Sequence, residues 1–301
     1  WMNLAKIRGG YTQVGNDTNP YQVKTTFGYA ADGSFGGAPR LLIDNDLVNP
    51  NLKPELTTTS EVGFDLALFE NRVNLNATYF HKSTTNQIIE LEVAKGSGYA
   101  SKVINAGELL STGLELQLGV VPVRNENFNW RVDFNYTQTK MTVPEIHPKV
   151  QALDIVRMVF GGVFLRASEG DEYGQLWGID YVRDENGNKV LNGPTYMAEP
   201  NLSPLGSVYP DFNLGITNSF SYKDFSFSFL VDIQEGGNFY SLSHMWGMDS
   251  GMFAATAQTN DKGNNIRTPV SEGGGILLDG VRGDVTFNDD GTYTVANATE
   301  N

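Results

Sequence analysis

Gly113-Leu114-Glu115-Leu116-Gln117-Leu118-Gly119-Val120, followed by Trp130-Arg131-Val132-Asp133-Phe134-Asn135-Tyr136-Thr137, is the stretch that decides the fold class. Apolar and polar residues alternate through both runs. Successive side chains of a strand point to opposite faces, whereas a helix needs its apolar residues three and four apart, so both runs read as strands. Leu114, Leu116, Leu118 and Val120 then share one face against Gly113, Glu115, Gln117 and Gly119. Trp130, Val132, Phe134 and Tyr136 likewise oppose Arg131, Asp133, Asn135 and Thr137. Residues 121–129 form the link between the two runs.

Five more windows repeat this alternation. Ala5, Ile7, Gly9 and Tyr11 stand against Lys6, Arg8, Gly10 and Thr12; Val62, Phe64, Leu66 and Leu68 stand against Glu61, Gly63, Asp65 and Ala67. Val73, Leu75, Ala77 and Tyr79 oppose Asn74, Asn76, Thr78 and Phe80. Phe212, Leu214, Ile216 and Phe220 oppose Asn213, Gly215, Thr217 and Ser219, with Asn218 the one clear polar residue on an apolar face. Phe227, Phe229, Val231 and Ile233 oppose Ser226, Ser228, Leu230 and Asp232.

Alternation alone fits a soluble sandwich and a membrane barrel equally well, since each has one dry and one wet face. Connection lengths separate them. Residues 69–72, 121–129 and 221–225 are short links, while 15–60, 82–112, 140–211 and the segment after Glu235 are long. Short and long links alternate, as in outer-membrane barrels with short periplasmic turns and longer extracellular loops. Compact soluble domains seldom hold structureless loops longer than about 12 to 15 residues. Phe69, Phe128, Trp130, Phe220, Tyr222 and Phe225 gather at the short-turn ends, where rings suit the boundary between hydrocarbon and headgroups. Lys6, Arg8, Glu61, Asp65, Glu115, Arg131, Asp133 and Asp232 all fall on the polar face, and no window puts Lys or Arg on the apolar one. The predicted fold is all-β: an antiparallel transmembrane β-barrel segment of about seven long strands, part of a larger closed barrel.

Composition excludes several other classes. The 301 residues carry 35 acidic and 21 basic side chains, a net charge of −14 with no basic cluster, which disfavours nucleic acid. There is no cysteine, hence no disulfide framework or thiolate metal site. The most apolar run, Ile155 to Leu165, is too short for a membrane helix and contains Arg157 and two glycines. Trp1 to Arg8 reads straight into a strand without a signal-peptide pattern, so the native N-terminus is expected elsewhere.

The remaining residues form no catalytic or metal-binding motif. His81, His147 and His244 share no metal-binding spacing, and Gly247-Met248-Asp249-Ser250-Gly251 places its serine wrongly for a nucleophile elbow. Asp184-Glu185-Asn186-Gly187-Asn188 has its glycine fourth where a calcium loop needs it sixth, and Thr195 stands where the bidentate glutamate belongs; it reads as a hairpin turn. Asp289-Asp290-Gly291 reads as another turn, between Val285-Thr286-Phe287 and Tyr293-Thr294-Val295. No catalysis, metal or cofactor is expected. Trp177, Tyr181, Phe239, Tyr240 and Trp246 lie in or beside the extracellular segments and are the candidate ligand or partner contacts, through stacking on sugars or packing on peptide side chains.

Several motifs are similar to those of a known family. Asn49-Pro50-Asn51-Leu52-Lys53-Pro54-Glu55, then Ser60-Glu61-Val62-Gly63-Phe64-Asp65, closely resembles the SusC/RagA family of TonB-dependent outer-membrane transporters. Asn105-Ala106-Gly107-Glu108, Gly113-Leu114-Glu115-Leu116, the Trp130 to Asn135 strand, Leu205-Gly206-Ser207-Val208-Tyr209-Pro210-Asp211-Phe212 and Gly274-Gly275-Ile276-Leu277-Leu278-Asp279-Gly280-Val281 follow in the family's order. The resemblance implies a Gram-negative outer-membrane importer of oligosaccharides or oligopeptides, lidded by a SusD-like surface lipoprotein and energised by the TonB complex. Residues 1–301 are expected to be part of the barrel domain, with plug, TonB box and last strands outside it. The rival reading is a soluble β-rich cell-surface glycan-binding module, in which a second sheet would bury Leu114, Leu116 and Phe229.

Overall fold

A computed structural model describes the chain apart from residues 19, 44, 158–161 and 301, and, for their side chains, residues 31–35 and 157. The middle of the apolar run from Ile155 to Leu165 therefore lies outside the described residues. The chain divides into two compact units, the first made of residues 1–153, 167–174 and 209–237, the second of 154–166, 175–208 and 238–301.

The first unit is built on seven long strands: β1 (Met2–Asn16), β2 (Glu55–Leu68), β3 (Val73–Thr85), β4 (Glu108–Arg124), β5 (Phe128–Glu145), β6 (Pro210–Tyr222) and β7 (Phe225–Gly236). They pair antiparallel in chain order as one sheet, with β1 and β7 at its edges. Each contains one of the seven alternating windows. The short link 69–72 is as expected, and the other two tighten to residues 125–127 and 223–224, because the β4–β5 ladder continues to Arg124 and Asn129 and the β6–β7 ladder to Tyr222 and Phe225. Phe69, Glu70, Asn71 and Lys223 take positive φ in these turns.

Pairing register turns seven separate alternations into two continuous surfaces. Ala5, Leu66, Leu75, Leu118, Phe134, Ile216 and Val231 are successive partners across the whole sheet. Two residues further along each strand, Ile7, Phe64, Ala77, Leu116, Tyr136, Leu214 and Ile233 form a second apolar row. Between these rows runs Lys6, Asp65, Asn76, Gln117, Asn135, Gly215 and Asp232. Slipping one strand by a single residue would drive a polar side chain into each apolar row.

The apolar rows are not buried against a second layer. Phe229 is 43 % exposed, and Leu114, Leu116, Leu118 and Phe134 stay partly exposed, although the smaller Ala77 and Val132 on the same face are covered. A soluble sandwich would have enclosed them. The first unit instead has a small core away from the middle of the wall, where Val143, Ile146 and Ala167 pack with Ile89, Leu109, Val150 and Tyr173.

The long connections are structured. Phe27–Phe35 pairs with Ala38–Ile43, and Ser101–Asn105 lies between Asp46–Leu47 and Ile88–Glu92. In the second unit, residues 164–166 pair with 175–177, and Gln175–Gly178 pairs with Ser203–Ser207. Its core joins Val182 and Val190, both 0 % exposed, to Val281, with Met197, Val285, Tyr293 and Val295 around them. The expected turn at Asp289-Asp290-Gly291 links the strands Val281–Phe287 and Tyr293–Glu300. Helix α1 (Leu242–Asp249) is capped by Ser241, whose hydroxyl accepts from the His244 N–H. Among the described residues no helix is long and apolar enough to cross a membrane, which leaves crossing by strands open.

Candidate functional site

The polar face of the wall carries an ordered network. Arg8 projects from β1 across β2 to β3: its Nη2 donates to Asn76 Oδ1 and to Thr78 Oγ1, each at 2.8 Å, and its Nε to Asp65 Oδ1 at 3.3 Å. Asn76 Nδ2 donates to the same Asp65 oxygen at 2.7 Å, and Lys6 Nζ lies 3.7 Å from Asp65 Oδ2. On β5, Arg131 grips Asp133 through two N–H groups, Nε to Oδ2 at 2.7 Å and Nη2 to Oδ1 at 2.5 Å. The three cations expected on this face thus all have carboxylate partners. Glu61, Glu115 and Asp232 add further acid, so the named charged residues of this face carry more negative than positive charge.

Glycines allow these side chains to lie flat. A Cβ on Gly119 would stand 2.9 Å from Asp133 Oδ1 and 3.0 Å from Arg131 Nη2. One on Gly113 would collide with the ring of Phe80, its partner on β3. Phe80 broke the polar pattern of its window, and its place is across the bare backbone of Gly113. The row around Asp65, Asn76, Gln117, Arg131 and Asp133 borders a shallow depression of about 350 Å³.

At the short-turn end the apolar face is aromatic. Trp130 and Phe220 stack at 5.8 Å between centroids, and Phe220 also lies against Phe128, Phe227 and Phe229 at 6.5, 6.4 and 6.3 Å. Of the residues expected to form this girdle, Phe69 sits in its own turn at positive φ, while Phe227 and Phe229 join the stack although sequence spacing had assigned them only to the apolar face. Trp130 Nε1 donates to Asn218 Oδ1 at 3.3 Å, which explains the one polar residue on this face. A buried or lipid-facing amide is tolerated when its hydrogen bonding is met.

The five candidate contact residues all belong to the second unit, and each has its own setting. Trp177 lies on the strand Gln175–Gly178, with the Arg166 guanidinium 5.5 Å from its ring and its Nε1 buried without an acceptor among the described residues. Tyr181 is 5.1 Å from Tyr196, and Lys189 Nζ lies 4.7 Å from both rings. Phe239 is 87 % exposed. Tyr240 donates its hydroxyl to Met245 Sδ at 2.7 Å, and Trp246 is a half-exposed residue of α1. Tyr196 and Lys189 were missed in the sequence because only the fold of the hairpin brings them onto Tyr181.

The other polar residues serve local structure. Asp184 Oδ1 accepts from the backbone N–H of Asn186 and Asn188, and Oδ2 from Asn188 Nδ2, within the expected hairpin closed by the Arg183–Lys189 bridge. The Asn188 side chain, then the backbone N–H groups, hold this carboxyl below the ordinary carboxylate range. Asp290 is lowered in the same way by the Thr292 hydroxyl in its turn. Burial, then the neighbouring Tyr209, raise the Tyr173 phenol. His147 accepts from the Lys149 N–H and the His244 ring lies 4.9 Å from Phe253. Ser250 Oγ donates to the Trp246 carbonyl at 2.6 Å, so it closes a helix. Among the described residues no three His, Asp or Glu side chains converge as metal ligands would.

Residues 2–299 match the family described as TonB dependent receptor-like, beta-barrel. The chain is 25 % identical to TonB-dependent receptor P26 of Formosa agariphila over 96 % of its own length and 31 % of that protein. It is 23 % identical to TonB-dependent receptor SusC of Bacteroides thetaiotaomicron over 77 % of its length and 25 % of the relative. It thus spans less than a third of the curated relatives it matches. Among solved structures, the RagAB peptide transporter superposes on 77 % of the chain with a TM-score of 0.63 at 16 % identity, using 26 % of the transporter chain. A RagAB peptide importer in the open-open state superposes on 79 % with the same score.

Proposed function

Because this chain belongs to the TonB-dependent receptor β-barrel family, located in the outer membrane of Gram-negative bacteria, we propose that it forms wall and mouth of an active nutrient importer. The carrying observation is the two-faced register: unbroken apolar rows suit lipid, and the Lys6 to Asp232 row suits a wet lumen. Seven strands leave edges at β1 and β7, so further strands of the same protein close the barrel, with the plug and TonB box also outside residues 1–301. The SusC/RagA resemblance supplies a SusD-like lipoprotein partner and TonB energisation. The cargo class is an oligosaccharide or oligopeptide, by the SusC/RagA resemblance; the likeness to the RagAB peptide transporter supports the peptide alternative.

Within this proposal Trp177, Tyr181, Phe239, Tyr240 and Trp246 contact cargo or the lipoprotein, Phe239 by its bare ring. The test is uptake by cells carrying the full-length protein and its lipoprotein, fed labelled oligopeptides or oligosaccharides. Energy-dependent accumulation of one class is expected, with a reduced rate for Phe239→Ala. Accumulation that is indifferent to TonB would overturn the importer reading.

A further inference from the structure

The hairpin turns below the aromatic stack hold charges that are not matched to one another. Four cations of the wall are engaged: Lys6 and Arg8 by Asp65, Arg131 by Asp133, and Lys140 by Glu172 at 2.5 Å. Arg124 ends β4 beside the turn that contains Glu126, and the turn between β6 and β7 contains Lys223 and Asp224. All four are exposed, and among the described residues none hydrogen bonds or forms an ion pair through its side chain. The Lys223 N–H bonds to the Asn127 carbonyl at 2.9 Å, which makes the two turns neighbours. Lys223 Nζ lies 5.6 Å from the ring of Tyr222, which shares a register row with Phe128 and Phe225. Immediately above lies the Trp130–Phe220–Phe227 stack.

Trp130 gives its N–H to Asn218, so the largest ring of the stack lies along the wall and spends its polar handle inside the sheet. Headgroup recognition therefore falls to the turns. An unmated cation and an unmated acid on each of two adjoining turns, against a stack of rings, are complementary to a zwitterionic headgroup bearing a phosphate and a primary amine above two acyl chains. We propose that this rim, comprising Arg124, Glu126, Tyr222, Lys223 and Asp224, is a binding site for an aminophospholipid in the periplasmic leaflet. Arg124 and Lys223 take the phosphate, Glu126 and Asp224 the ammonium, and the ring stack the chains.

The test uses the full-length protein reconstituted in mixed bilayers of phosphatidylethanolamine and phosphatidylcholine, then released for native mass spectrometry of retained lipid. The wild type is expected to retain phosphatidylethanolamine in preference. Lys223→Gly keeps the turn, since the residue sits at φ 51, and removes only the side chain. This variant and Arg124→Gln should each lose about fivefold in retention, with Lys223→Arg retaining it. Glu126→Gln with Asp224→Asn should abolish the preference for the primary amine while leaving total lipid retained. Unchanged retention in Lys223→Gly and Arg124→Gln overturns the proposal, as does equal displacement of the lipid by inorganic phosphate. Heat-modifiable migration of each variant reports barrel assembly separately, so failure of the wall to enter the membrane is distinguishable from failure of the site.

Discussion

The wall and the second unit solve the same problem in opposite ways. The second unit encloses Val182 and Val190 completely, and its Asp184 hairpin satisfies its polar groups locally, in the manner of a small water-soluble domain. The wall encloses mainly small side chains such as Ala77 and Val132, and its apolar rows are most open on the edge strands, at Ile7 and Val231. Its stability comes from the hydrogen-bond ladder and from a solvent that is itself apolar. The same residue types therefore carry different energies in the two regions: an exposed leucine in the wall is matched to lipid, whereas a buried valine in the second unit is matched to other valines.

The largest break in that contrast is a charge on the outer row. Leu118→Arg should cost about 2 to 4 kcal/mol at mid-bilayer and deplete the protein from the outer membrane, whereas Gln117→Arg, one residue away on the wet face, should assemble normally. Equal membrane levels for the two variants would refute the assignment of faces. Next comes the core of the other region. Val190→Ala should cost about 2 kcal/mol and expose residues 175–208 to protease on intact cells, with heat-modifiability of the barrel unchanged.

Packing on the wet face gives the third effect. Gly113→Val forces a Cβ into the Phe80 ring and should destabilise the wall by about 1 to 3 kcal/mol. Phe80→Ala in the same chain should restore only part of the loss, measured by the temperature at which the barrel unfolds in detergent, because the added Cβ would still stand 2.8 Å from the Gln138 carbonyl oxygen.

Acid should distinguish the regions more gently. The Asp184 carboxyl is depressed in the folded hairpin, so its contribution is fully present above the unfolded value and is lost as pH falls through the folded one. Protease sensitivity of residues 180–192 should rise only in that acidic window, and Asp184→Asn should remove the pH dependence. The smallest effect is expected for Asn218→Leu, about 1 kcal/mol or less, because the freed Trp130 N–H lies near the interface and can meet water or headgroups.

Much of the wall was legible beforehand, for a physical reason that can be located. Period-two alternation over Gly113–Val120 and Trp130–Thr137 survives because a barrel wall meets two different solvents at every residue. Aromatics at the short-turn ends were visible for the same reason. Less could be read where a side chain's role depends on a partner distant in the chain. Arg8 meets Asn76 and Thr78 only through the pairing of three strands, and the same pairing sets the Phe80 ring across Gly113. Asn218 looked like an exception for want of Trp130.

The candidate loop aromatics were identified as residue types in extracellular segments, and the fold supplied what spacing lacks: Lys189 between Tyr181 and Tyr196, Arg166 over Trp177, and Phe239 left bare. Sequence by itself determined strand identity, the two faces and the order of short and long links, since these depend on local periodicity and turn chemistry. Tertiary structure alone decided register, the ion-paired network on the wet face and the enclosed core formed by Val182, Val190 and Val281. Those depend on which distant backbone groups share a hydrogen-bond ladder, and a one-residue change in that choice would reverse every face.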